Sequence, residues 1–366
     1  MEEKLSSTLV NYSLSVKENE KVLITYYDES CKNLVKNLIK EITKVNAYPF
    51  VKIIDEELDN LLLKEATESK TDIMAKLLKE EVENYDSFIT IRYNKNEYEN
   101  SNISPIIRKS LGKKTIETKE IRTNERKWVL LNYPSHLDAY KAKMSYDDFY
   151  NYAFNAMNYD YSKTKELIKP LKELMLKTDK VRIISPKTDI SFSIKDMNVI
   201  ECLGNFNIPD GEIFTAPVKT SVNGVITYNV DSPYNGNIYK NVSLTFKDGK
   251  IINAICDGDI QKLNEIFETD EGSKYVGEFA LGINPNIKYP ISDILFDEKI
   301  IGSIHFTPGA AYKEAYNQND SSIHWDMVLI QREDFGGGEI YFDEVLVRKD
   351  GLFVLDELLP LNYSEL

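Results

Sequence analysis

Hydrophobic positions along the first 130 residues alternate between two periods. A short β-rich run, Lys21-Val22-Leu23-Ile24-Thr25-Tyr26, leads into a segment whose Leu34, Val35, Leu38, Ile39 and Ile42 fall on one helical face. Ser30 stands where an N-cap belongs. A strand follows at 50–54, helical sequence over 58–82, a strand at 88–91, a helix near 106–111 and a strand at 128–131. This spacing predicts βαβ crossovers and a mostly parallel sheet. Asp28-Glu29-Ser30 occupies the turn where a nucleotide-binding domain carries glycines, which argues against that class. Helical sequence then fills 146–177, with a break at Tyr159-Asp160-Tyr161-Ser162-Lys163.

From Val181 the pattern changes. Short β-type runs at 181–184, 190–194, 225–230 and 242–246 are separated by Gly, Asn and Asp turns, and Asp248-Gly249 has hairpin chemistry. The expected organisation is an α/β N-terminal domain with a mostly parallel sheet and linking helices (1–177), followed by a β-rich α+β domain (178–366).

A length of 366 residues fits two domains, because one core rarely grows past roughly 250–300 residues. Against 45 Lys and Arg stand 59 Asp and Glu, a formal charge of −14 that disfavours nucleic acid and anionic membranes as partners. Cys31, Cys202 and Cys256 are far apart with no C-x-x-C spacing, which disfavours a disulfide framework or a cysteine zinc site. The start carries no targeting pattern, and no window approaches the ~18 apolar residues of a membrane span. The expectation is a soluble cytoplasmic protein.

Only three histidines exist: His136, His305 and His324. His324 and Asp326 lie in a run, 323–330, that reads as a strand; positions i and i+2 would project together, with Trp325 opposite. An imidazole beside a carboxylate suits a divalent metal, and equally a surface pair or an outer hydrogen bond. His305 stands where a strand runs into the Thr307-Pro308-Gly309 loop, as a functional side chain or a satisfied buried one. Glu212 and Glu278 each follow Gly and precede an apolar residue, and Glu298 follows Leu295-Phe296-Asp297; such acids face a cavity or water.

Five segments in order change this picture: Pro-Asp-Gly-Glu212-Ile-Phe-Thr-Ala-Pro, Gly-Glu278-Phe-Ala-Leu, Leu-Phe-Asp-Glu298, His305-Phe-Thr-Pro-Gly-Ala-Ala-Tyr312 and Ser-Ser-Ile-His324-Trp-Asp326. Together they resemble the aminopeptidase T (thermophilic aminopeptidase) family of metallopeptidases. The resemblance implies that the β-rich domain is catalytic and that the protein is a homodimer with its sites facing an enclosed cavity. It implies two divalent ions, zinc or cobalt, held by Glu212, Glu278, Glu298, His305, His324 and Asp326, with Glu278 the candidate bridge. Four carboxylates match the four positive charges of two such ions. Tyr312 would stabilise the oxyanion, and the substrates would be peptides with a free N-terminus. The chain is shorter than typical family members, with a short 313–323 loop and a longer 298–305 connection. His136 lies outside every matching segment and reads as structural or surface. The runner-up is a mononuclear iron dioxygenase that cleaves dihydroxypyridine rings, using His305, His324 and Asp326; the additional carboxylates Glu212 and Glu278 favour the dinuclear hydrolase. A non-catalytic binding protein on this fold would have lost ligands, and here every ligand position is filled.

Overall fold

The computed structural model describes residues 1–362; the last four residues of the predicted second domain lie outside the described residues. The chain divides into two compact units, one of Met1–Asn158 with Gly204–Pro209, the other of Tyr159–Leu203 with the chain from Asp210 onward.

The first unit is built on a five-stranded parallel sheet, ordered Tyr48–Ile53, Lys21–Tyr26, Ser87–Arg92, Lys127–Asn132 and Asn207–Ile208. The two strands Lys21–Tyr26 and Ser87–Arg92 are buried along most of their length, as expected where crossover helices cover both faces. Helix Lys32–Lys44 buries Leu34, Val35, Leu38 and Ile42, each contributing about 1.5–3 kcal/mol by leaving water. Ser30 is not its N-cap. Asp28 caps instead, its carboxylate accepting the Ser30 N–H at 2.8 Å and opening a 3-10 turn that feeds the helix. Ser30 thus lies inside the 3-10 turn, and Cys31 stands at the N-cap of the helix without a side-chain hydrogen bond. His136 begins a short helix, exposed, with its ring stacked 4.2 Å from that of Tyr146.

The second unit contains helices Tyr161–Leu167 and Lys169–Lys177 and two antiparallel sheets. This division differs from a boundary at 177/178. Both helices pack on the 3-10 segment Asp356–Leu361, and the 204–209 segment adds its strand to the parallel sheet. One sheet has nine strands, with Thr188–Ser193 and Asn237–Lys247 among them. The other has five, ordered Val328–Ile330, Ser303–Pro308, Val276–Gly282, Glu212–Thr215 and Ile200–Cys202. Phe192 of the larger sheet packs against Phe279 and Phe306 of the smaller, with ring centroids 5.0 and 5.1 Å apart. Those phenylalanines fix which face of the five-stranded sheet is core, and alternation leaves the other face for chemistry.

Candidate metal centre

Register assembles the site. In the five-stranded sheet Glu212 lies opposite Gly282, Phe214 and His305 both lie opposite Ala280, and Thr307 lies opposite Glu278. Directly opposed residues share a face, so Glu212, Glu278, His305 and Thr307 project together. The central positions of that face are Ala280 and Gly282, and these small side chains leave room above the sheet for the larger ones to converge. Phe279 and Leu281 alternate into the core.

The glycines before two of the glutamates have steric causes. A Cβ at Gly277 would lie 2.2 Å from the Ala310 carbonyl oxygen, and one at Gly211, whose φ is +131°, would lie 2.8 Å from the Asn284 Cβ. Both are close backbone approaches that only glycine permits.

His324 and Asp326 arrive differently from the expected strand. The continuous strand spans only Val328–Ile330, and His324 takes part in a single bridge with Gly309. Its turn-rich approach is pinned elsewhere: the Asp270 carboxylate accepts the Ser322 N–H and the Ser321 and Ser322 hydroxyls, while the Asn319 side-chain amide donates to the Gly272 and Gly309 carbonyls. Alternation survives through isolated backbone bonds, Trp325 N–H to Pro308 O and Phe306 N–H to Met327 O. Trp325 is accordingly buried against Tyr234, Tyr239 and Phe267, and His324 Nε2 lies 3.2 Å from Asp326 Oδ1.

All six sequence-predicted ligand positions come together. Within one set, Glu212, Glu298 and His305, and within a second, Glu278, His324 and Asp326, the ligand-type atoms lie within 4.8 Å of one another. Glu278 joins the sets: its Oε1 is 2.9 Å from His305 Nε2, and its Oε2 is 3.5 Å from His324 Nε2. Both imidazoles are oriented by backbone carbonyls, His305 Nδ1 on Glu298 O at 3.3 Å and His324 Nδ1 on Ala310 O at 2.8 Å. Each ring therefore presents Nε2 inward, the arrangement of histidines that hold metals. The first set is deeper: the His305 side chain is 1% exposed, that of His324 21%. Tyr312 stands beside the second set, half-exposed, its ring 4.7 Å from His324 and edge-on to Phe214.

Three residues escaped the sequence reading. Lys299 is buried, donates to Glu298 Oε1 at 2.5 Å and lies 2.7 Å from Glu212 Oε1. Asp210 is 3.8 Å from the same ammonium. The Thr307 hydroxyl donates to Asp326 Oδ1 at 2.6 Å. The one signal for Lys299 is a charged triplet, Asp297-Glu298-Lys299, set between the apolar pairs Leu295-Phe296 and Ile300-Ile301. Cys202, Asp210 and Glu212 form a third metal-capable grouping, and there Lys299 already supplies a cation.

The electrostatics fit a divalent metal. Burial would lower both imidazoles, but the carboxylates, Glu212 first for His305 and Asp326 first for His324, push both up to about 10. Burial raises the Glu278 carboxyl, whereas His324 outweighs burial at Asp326 and holds it well below the usual range. Glu212 Oε2, Glu278 Oε2 and His324 Nε2 are buried and make no hydrogen bond. Negative charge beyond what Lys299 neutralises, with ligand atoms left over, calls for a further cation.

Fold and site thus define a protein whose second unit carries a histidine–carboxylate constellation suited to divalent metal. Residues 2–353 match the model of the thermophilic metalloprotease (M29) family, and the chain belongs to that family. Aminopeptidase AmpS of Bacillus subtilis is 40% identical over 115 residues, covering 29% of this chain and 26% of that protein. Aminopeptidase 2 of Geobacillus stearothermophilus is 32% identical over 168 residues, 40% of this chain and 38% of its own. Aminopeptidase T of Thermus thermophilus is 30% identical over 147 residues, 36% of each. The matched stretches thus span well under half the length of these relatives. The structure of wild-type AmpT from Thermus thermophilus superposes with a TM-score of 0.77 at 18% identity, covering 97% of this chain and 99% of that one, a likeness of fold. These comparisons give no support to the iron dioxygenase alternative.

Proposed function

We propose that this chain is a metal-dependent aminopeptidase that hydrolyses the N-terminal residue from peptides at a dinuclear centre. The observation that carries the reading is Glu278, whose two carboxylate oxygens face two different imidazoles. Glu212, Glu298 and His305 would hold one ion, His324 and Asp326 the other, and Glu278 would lie between them. With both imidazoles neutral, as metal ligands must be, the five carboxylates Asp210, Glu212, Glu278, Glu298 and Asp326, offset by the one ammonium of Lys299, leave four negative charges, the complement of two divalent ions. Imidazole donors favour zinc or cobalt over magnesium. When bound, such ions supply Lewis acidity to a peptide carbonyl and activate water.

The chain's own groups do the rest. The Glu298 and Ala310 carbonyls hold the imidazole tautomers. Burial, then the charges of Asp326 and Glu278, raise the Tyr312 phenol far above its ordinary value, so it remains a hydrogen-bond donor at all working pH values. At the exposed side of the site it can donate to the oxyanion that forms as the carbonyl is attacked. A free α-amino group needs a nearby anion or metal ion, and a site of carboxylates and imidazoles suited to divalent metal offers both, which supports peptides with a free N-terminus as substrates.

Three free cysteines support a reducing, cytoplasmic setting, and among the described residues no helix is long and apolar enough to cross a membrane. A homodimer follows the family resemblance. Elemental analysis of the purified protein, paired with an aminopeptidase assay before and after metal stripping and restoration of zinc or cobalt, tests the reading. Two divalent ions per chain and restored cleavage are expected. One iron per chain with oxygen-dependent turnover, or no cleavage of any aminoacyl or peptide substrate by the metal-loaded protein, would refute it.

A further inference from the structure

Lys299 is a buried charge in this site that the proposed reaction does not use. Its ammonium donates to Glu298 Oε1 at 2.5 Å and lies 2.7 Å from Glu212 Oε1, so one oxygen of each carboxylate is already engaged. The side chain is 2% exposed and cannot retreat to water. Its backbone is held as well, the Lys299 carbonyl accepting the Asn284 N–H. Glu212 Oε2 is still available, 3.6 Å from His305 Nε2. An ion bound by Glu212, Glu298 and His305 must therefore share two of its three ligands with a fixed positive charge. In a buried setting that repulsion is poorly screened. The other set meets no such competitor: Asp326 accepts the neutral Thr307 hydroxyl, and His324 is oriented by the Ala310 carbonyl.

We propose that Lys299 makes the two halves of the centre unequal, so that the Glu278–His324–Asp326 half binds its divalent ion tightly and the Glu212–Glu298–His305 half binds weakly and exchangeably. The inference rests on the dinuclear reading above and concerns how that centre fills. The same ammonium gives the weak half a second property. With the ion absent, the one Lys299 ammonium contacts both Glu212 and Glu298 and keeps both carboxylates in place, so the half stays assembled and reloads without rearrangement.

The test is stepwise titration of the metal-stripped protein with cobalt, read by chelator competition and by the visible absorption of bound cobalt, with no use of activity. The wild-type chain should fill in two steps. His324→Ala should remove the tight step, and His305→Ala the weak one. Lys299→Met should tighten the weak step by on the order of tenfold or more, because a poorly screened like charge is removed, with little change in the tight step. Far-ultraviolet circular dichroism reports whether Lys299→Met folds; if it does not, the two histidine variants carry the test. Two equal steps in the wild type, loss of the tight step in His305→Ala, or an unchanged weak step in folded Lys299→Met would each overturn the inference while sparing the dinuclear reading. A wild-type chain that binds no cobalt would overturn both.

Discussion

Gly277→Ala perturbs the centre without touching a ligand. The added methyl would lie 2.2 Å from the Ala310 carbonyl oxygen, 2.5 Å from its carbon and 2.5 Å from the Gly309 oxygen, all of them backbone atoms. Ordinary carbon–oxygen contact needs roughly 3.3 Å, so the 309–310 backbone must retreat by about 1 Å. The Ala310 oxygen is the atom that holds His324 Nδ1, at 2.8 Å. A displacement of that size takes the hydrogen bond beyond its working range. Overpacking of this kind costs about 1–3 kcal/mol, which in a domain of this size lowers the melting temperature by on the order of 5 °C. Freed from its carbonyl, the His324 imidazole loses its preferred tautomer and orientation, and metal affinity at that half should fall roughly 10–100-fold. Chelator competition measures the affinity and a thermal melt the stability. A Gly277→Ala protein with wild-type metal affinity would refute the claim that the Ala310 carbonyl positions His324.

Tyr312→Phe should leave metal content and KM near wild type while lowering kcat by roughly 10²–10³-fold, the effect of removing one oxyanion donor; unchanged kcat removes Tyr312 from the reaction. A third prediction concerns pH. Burial would raise the Asp270 carboxyl, but the Ser322 N–H and the Ser321, Ser322 and Ser273 hydrogen bonds outweigh it and hold it down at about 2. A depressed carboxylate stabilises the fold above its unfolded value of about 3.9, and that contribution is lost as pH falls from there toward about 2. Asp270→Asn should therefore lower the melting temperature at neutral pH and flatten its decline across that acid window; a variant with the wild-type acid profile would show that Asp270 does not anchor the 321–322 segment.

Much of the fold was legible because the local periodicities agree with the tertiary arrangement. The first unit's strands and helices fall close to their expected positions because both faces of a parallel sheet need apolar runs, and crossover helices need an apolar stripe. Ser30 is not the helix N-cap because the chain already turns at Glu29–Cys31, a 3-10 turn capped by Asp28 that sequence pattern does not distinguish from the helix start. The strand expected over 323–330 shortened because the approach to His324 is held by Asp270 and Asn319, contacts distant in sequence. In the site, residue types and spacing left each candidate open, and it was the family resemblance carried by five ordered segments that implied Glu212, Glu278, Glu298, His305, Tyr312, His324 and Asp326. The carbonyls that aim both imidazoles carry no sequence signal, since every residue has a carbonyl.

Sequence alone determined the kinds of atoms available: three histidines, only two of them inside the motifs, acids placed after glycines, and a change from helical to alternating pattern in mid-chain. It could not say which acids meet. That depends on antiparallel register, which sets Glu212 against Gly282 and His305 against Ala280, and on a loop that brings Lys299 back beneath two of the glutamates. A lysine beside a glutamate in sequence is ordinarily a solvated pair. Buried by tertiary packing among several carboxylates, it becomes a fixed charge inside the centre, because only the folded chain removes the water that would otherwise have screened it.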